Sequence, residues 1–268
     1  MNTFFRLCAC VYSVKPRTSL TREKMALSPR RRSVWSFDLD GTLYSNSQTP
    51  LHEQMVPRME KYVAKAMNIT LQEARAKNYG FYQRFGLTAR GLAIECDDFD
   101  VTDFCDFVYN SLDLTGLRPN PELHTDFAKL QEEGCELWIL TNSSRSHAKA
   151  CLAALGVLMY FPDDHILDCV DQWKYSSESL ESKPLPGAYD LLLARSGAVE
   201  GRDTIVMLED SEANLHEPAR RGWACIYVTD KPPGELAATQ SKYPRYQCIA
   251  NIGQLGTAIT AVTNSMSP

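Results

Sequence analysis

The chain reads as an α/β protein: an open parallel sheet with helices wound on both faces, interrupted by one helical insertion. Three observations predict that class. Short apolar runs of strand length recur at residues 34–37, 136–140, 204–208 and 224–228. Helical periodicity lies between them: 121–133 reads as one helix, 144–155 sets Ala148, Cys151, Leu152 and Leu155 on one face, and 187–196 repeats the pattern with Ala188, Leu191, Leu192 and Ala194. Strand and helix in alternation imply parallel pairing with helices over both faces. Finally, three of the runs end directly in polar or acidic residues, where open α/β sheets bind ligands.

Taken in chain order, residues 1–32 read as a basic, disordered extension, with eight Lys and Arg against one acid, Glu23. That composition is compatible with an organellar transit peptide, and a cytoplasmic location is the plain alternative. Residues 33–44 and 119–262 form the expected core. Residues 45–118 are helical in pattern, contain no convincing strand and are too long for a connection inside a compact domain, so they read as an inserted cap. The formal net charge is −5, and beyond residue 32 there are 20 basic against 32 acidic residues. So acidic a body is a poor partner for polymeric nucleic acid. The nine cysteines show no zinc-ligand spacing and fit a reducing compartment. No apolar run approaches the ~20 residues that span a bilayer. Oligomeric state leaves no signal.

The chemistry concentrates at strand ends. Asp38 and Asp40, in Asp38-Leu39-Asp40-Gly41-Thr42, follow the first strand. Two carboxylates this close stay ionised together only beside a cation; otherwise one holds a proton. That division suits phosphoryl transfer, with Asp38 as nucleophile and Asp40 as acid and then base. An Asp-Gly turn is the structural alternative. Thr141-Asn142 follows the second strand and opens a Ser-rich helix, so a hydroxyl, an amide and free N–H groups can meet one phosphate, or simply cap the helix. Lys183 stands before Pro184 in a loop, where its charge can offset phosphate and carboxylate. Glu209 and Asp210 add acids at a third strand end, as a hard, oxygen-ligated Mg²⁺ needs, or cap the next helix.

With FDLDGTLY at 37–44, LTN at 140–142, Lys183-Pro184 and LEDS at 208–211, the sequence resembles the haloacid dehalogenase superfamily over about residues 33–256. Tyr79-Gly80-Phe81-Tyr82-Gln83-Arg84-Phe85-Gly86-Leu87, with Arg90-Gly91-Leu92 behind it and Asn214 after Asp210-Ser211, is similar to the pyrimidine 5′-nucleotidase branch. The resemblance implies a Rossmann-like core with a small helical cap. It also implies Asp38 attacking phosphorus, Asp40 as acid and base, and Thr141 and Lys183 stabilising the phosphoryl group. Mg²⁺ would be held by the Asp38 carboxylate, the Asp40 backbone carbonyl and Asp210, with Glu209 in or beside its shell. Glu209 departs from the Asp more usual in that branch. The expected partner is a small phosphomonoester, a pyrimidine nucleoside 5′-monophosphate in particular.

Other readings stay open. A sugar phosphate or lysophospholipid phosphatase and a phosphomutase share both acids, while a non-catalytic protein with this fold would be expected to lack Asp38, Asp40 or Lys183. Asp40 argues against dehalogenation, which has no phosphoester oxygen to protonate. Tyr79, Tyr82 and Arg90 offer aromatic faces and a guanidinium to a base or sugar. The same aromatics, with Phe85, lie three residues apart and can instead pack the cap.

Overall fold

The computed structural model describes residues 31–175 and 181–265. Residues 1–30, most of the expected extension, lie outside it. Arg32 is already tied to the sheet: its carbonyl accepts from the Thr204 amide and its own amide donates to Asp203.

Six parallel strands, β1 (Ser33–Phe37), β2 (Glu136–Leu140), β3 (Ile166–Leu167), β4 (Thr204–Glu209), β5 (Ala224–Val228) and β6 (Gln247–Ile249), line up in the order β3-β2-β1-β4-β5-β6. The chain starts at the centre, builds outward through β2 and β3, then returns to add β4 on the other side of β1. A crevice therefore opens at the carboxyl end of β1, where the winding reverses. Alternation along the strands explains the double cover. Trp35 and Phe37, Leu137 and Ile139, and Val206 and Leu208 enter one apolar cluster. Val34, Trp138, Leu140, Ile205 and Met207 enter the other. Every central strand is thus apolar on both faces, as parallel sheets require.

The insertion is four helices, α1 (His52–Met67), α2 (Leu71–Phe85), α3 (Thr88–Glu95) and α4 (Val101–Tyr109), with no strand between residues 45 and 118. Thr70 and Glu73 close a capping box at the start of α2, and Asp100 caps α4. Their apolar faces continue into the cluster under α5 (Pro121–Glu132), α6 (Arg145–Ala154) and α11 (Leu255–Ser265). α7 (Cys169–Tyr175) meets the insertion through Trp173 and Phe99, whose rings are 5.7 Å apart. Its Cys169 lies with Sγ 3.0 Å from Cys105 Sγ of α4. The opposite face carries α8 (Pro186–Ser196) and α9 (Glu212–Arg220), with α10 (Pro233–Lys242) beside them.

Three differences from the sequence reading have local causes. β4 runs one residue further and includes Glu209. β3 and β6, of two and three residues, are too short to leave a period. Ala194 is exposed rather than buried with Ala188, Leu191 and Leu192, because two residues past Leu192 lies on the opposite side of an α-helix.

Candidate active site

The acids stand where the strands deliver them. The Asp38 amide extends the β1–β4 ladder by donating to the Leu208 carbonyl at 3.0 Å, which sets the Asp38 carboxylate at the mouth of the crevice. The next turn requires Gly41: its φ is +88°, and a Cβ there would sit 2.3 Å from Asp210 Oδ2. Thr42 Oγ1 donates back to Asp38 Oδ2 at 3.1 Å.

Lys183 is the centre of charge. Its side chain is 1% exposed and Nζ lies 2.6 Å from both Asp38 Oδ1 and Glu209 Oε2. The loop that carries it is held by two polar contacts. The Gln172 amide oxygen accepts from the Lys183 backbone N–H at 3.0 Å, and Asn142 Nδ2 donates to the Lys183 carbonyl at 2.9 Å. Burial disfavours the ammonium, but Asp38 and Glu209 more than offset this, so its proton is held more tightly than in water. Glu209 also accepts the Ser211 amide through Oε1. Thr141 is buried, with Oγ1 2.8 Å from Ser143 Oγ and its carbonyl bonded to Gln172. Asn142 Oδ1 is buried without a hydrogen-bond partner.

Carboxylate oxygens of Asp38, Glu209 and Asp210 lie within 4.8 Å of one another. Burial first, then the neighbouring acids, push Asp38 up to about 7 and Asp210 up to about 9. Lys183 offsets only part of that charge. Three clustered hard oxygen donors with an excess of negative charge fit a divalent, oxygen-seeking cation. The Asp40 carboxylate is not in this group; the resemblance assigned only its backbone carbonyl to the metal.

Asp40 instead turns to a set of donors that the motif reading did not contain. Its Oδ1 accepts the Tyr44 hydroxyl and lies 2.7 Å from His147 Nε2, and Ser143 is a further partner. Burial would raise its pKa, but His147 and these hydrogen bonds outweigh it, and Asp40 lies below the usual carboxylate value. Without a cation, the ionisation order of the two acids is therefore the reverse of the expected one. A cation beside Asp38 would favour its ionised form. Tyr44 was inside the quoted FDLDGTLY stretch without being assigned a role, and His147 had only its place in the first turn of α6 to mark it.

A cleft of about 720 Å³ joins this machinery to the insertion. It is lined by Asp38, Asp40, Thr141, Asn142, Lys183, Glu209 and Asp210 on one side and by Tyr82, Phe85, Arg90 and Tyr109 on the other. Arg90 Nε is buried there and has no hydrogen-bond partner. Tyr79 does not line the cleft. It is 67% exposed, because α2 turns Ala74, Asn78 and Phe81 inward and Tyr79 falls outside that stripe. Tyr82 is 60% exposed and reaches the cleft rim, so neither tyrosine packs the core of the insertion. Gly91 sits under Phe81, where a Cβ would meet the ring at 2.1 Å, and this lets α3 lie close against α2.

The family model for haloacid dehalogenase-like hydrolases matches residues 36–216, more than half of the chain and all of the acids above. The chain belongs to the haloacid dehalogenase-like hydrolases. It is 27% identical over 196 residues to Phosphate metabolism protein 8 of Saccharomyces cerevisiae, covering 71% of this chain and 60% of that relative, so it spans under two thirds of the relative's length. A HAD hydrolase of family IA, variant 3, from Entamoeba histolytica superposes with a TM-score of 0.53 at 15% identity, over 81% of this chain and 92% of its own. A predicted phosphatase from Clostridium acetobutylicum gives 0.51 at 16% identity, over 86% and 99%. At such identities these structures share the fold. Among the described residues no helix is long and apolar enough to cross a membrane.

Proposed function

We propose that this haloacid dehalogenase-like hydrolase is a Mg²⁺-dependent phosphomonoesterase that works through an aspartyl phosphate on Asp38, with nucleoside 5′-monophosphates, pyrimidine ones foremost, as its substrates. The observation that carries the reading is Lys183 Nζ bridging Asp38 and Glu209 beside Asp210, with Asp40 in the same cleft. A cation held by Asp38 and Asp210, with Glu209 beside it, would neutralise charge on the transferring oxygens.

The protein's own groups supply the rest. Asp38 attacks phosphorus while the P–O bond to the leaving group breaks, and Asp40, which this step requires in its protonated form, gives its proton to the departing oxygen. Asp40 then takes a proton from water as that water cleaves the acyl phosphate, releasing inorganic phosphate and restoring both side chains. Thr141 and Lys183 hold the phosphoryl oxygens. The residues at 45–118 act as the cap that chooses the leaving group. In support of a nucleotide, the cleft has room beyond a bare phosphate, the Tyr82 ring at its rim, and the unpartnered Arg90 Nε. The yeast relative's name points to phosphate metabolism.

The test is a panel with Mg²⁺: uridine, cytidine, adenosine and guanosine 5′-monophosphates, glycerol phosphate, a hexose phosphate and a lysophospholipid. Phosphate release highest for the pyrimidine nucleotides, removed by chelation and abolished in a folded Asp38→Asn variant, is expected. Full activity in that variant would overturn the nucleophile. A hexose phosphate preferred tenfold over every nucleotide would overturn the substrate class.

A further inference from the structure

His147 is a buried imidazole that none of the assigned roles uses. Its side chain is 1% exposed in the first turn of α6. Three things fix it. Its backbone N–H donates to the Ser144 cap of α6 at 3.3 Å, its ring stacks on Tyr109 with centroids 5.3 Å apart and planes 28° apart, and Cys151 Sγ, one turn along, packs 3.6 to 3.7 Å from its nitrogens. In this pose Nε2 faces Asp40 Oδ1 at 2.7 Å.

Tyr44 uses the same oxygen. Burial and the Asp40 charge keep the Tyr44 hydroxyl protonated, so it is a donor there. Oδ1 is thus engaged by both Tyr44 and His147, and proton transfer to a leaving group falls to the other oxygen.

We propose that His147 is a positioning residue for the acid/base step: with Nε2–H donating to Asp40 Oδ1 beside Tyr44, it fixes the carboxyl rotamer and leaves Oδ2 to carry the proton to the leaving oxygen. Tyr109, the last residue of α4 and part of the cleft wall, backs the imidazole, so the insertion acts on the acid through this ring. The inference rests on the phosphomonoesterase reading.

Its test uses leaving groups. Protonation by Asp40 matters for an alkyl ester, whose alkoxide is a poor leaving group, and little for p-nitrophenyl phosphate, whose phenolate leaves unaided. His147→Phe keeps the ring and the stacking but has no N–H. His147→Gln keeps an N–H donor of similar reach. The Phe variant is expected to lose at least tenfold more kcat/KM on an alkyl phosphate than on p-nitrophenyl phosphate, with the Gln variant restoring most of that difference. Equal losses on both esters in the Phe variant would overturn the inference and leave the phosphatase reading standing. The same holds if Gln and Phe show the same ester-specific loss. If the Phe variant does not accumulate folded, His147→Asn, whose shorter amide falls short of Asp40, takes its place under the same criteria. A wild-type protein that hydrolyses neither ester would overturn the phosphatase reading itself.

Discussion

At the scale of single residues, Lys183 carries the largest consequence. A buried ammonium between two buried carboxylates gains little over an apolar replacement of the whole group, but removing one partner strands the others in low dielectric, at a cost of about 3–5 kcal/mol. Lys183→Met is therefore expected to abolish phosphate release and to lower stability in urea by about that much. Adding Glu209→Gln should recover part of the stability and none of the activity. A single variant as stable as the wild type would contradict the buried charge cluster. Gly41 offers a second residue-scale test. A Cβ at φ +88° would press on Asp210 Oδ2, so Gly41→Ala is expected to raise the Mg²⁺ concentration needed for half-maximal rate. An unchanged metal requirement would mean that Asp210 does not share the cation.

Between elements, close approach and ion pairing decide the fit. α3 lies on α2 because Gly91 leaves room for the Phe81 ring, and filling that space costs about 1–3 kcal/mol when the neighbours cannot yield. Gly91→Ala is thus expected to lower the thermal midpoint, with Phe81→Leu in the same chain restoring part of it. On the other face, Glu217 of α9 bonds Arg220 and Arg221, and Arg221 also reaches Asp190 of α8 at 2.6 Å. Arg220 first, with Arg221 adding to it, holds the Glu217 carboxyl down to about 2 from its ordinary 4.5. A depressed carboxylate stabilises the fold fully above its unfolded value and loses that contribution as pH falls through its folded one. The stability gap between the wild type and Glu217→Gln should hold above about pH 5 and close between about pH 4.5 and 2 in denaturant titrations. A gap that widens on acidification would refute the pairing.

For the whole molecule, the governing fact is that the apolar faces of α1–α4 and the layer beneath β1, β2 and β4 form one continuous cluster. Phe99 on Trp173 and Cys105 beside Cys169 lie on that seam. The insertion is thus built into the core and is not tethered to it by its ends alone. Denaturation is expected to follow a single transition, with far-UV circular dichroism and tryptophan fluorescence coincident. Amides of α1, α2 and α4 should exchange with about the same opening free energy as those of β1 and β4. An early transition confined to residues 52–109 would show that the insertion has a stability of its own.

By itself the sequence determined the parts that depend on neighbours in the chain. Runs of apolar residues of strand length, the helical stripe at Ala148, Cys151, Leu152 and Leu155, and the polar or acidic residues directly after three of the runs are local facts. They make β1, β2, β4, β5 and the strand-end positions of Asp38, Thr141 and Glu209 legible from the chain alone. The helical pattern, the lack of a convincing strand and the length of 45–118 made an insertion the expectation there. Tertiary structure decided what depends on distance and on exclusion of water. Residues 107 apart meet at Asp40 and His147, residues 145 apart at Asp38 and Lys183, and no spacing along the chain announces either pair. The ionisation order of Asp38 and Asp40 is set by desolvation and by which charges share each cavity. Tyr82 was brought to the cleft and Tyr79 left in solvent by the face that α2 turns inward, which carries Ala74, Asn78 and Phe81. β3 and β6 exist because a longer strand beside each supplies the pairing that two or three residues cannot establish alone.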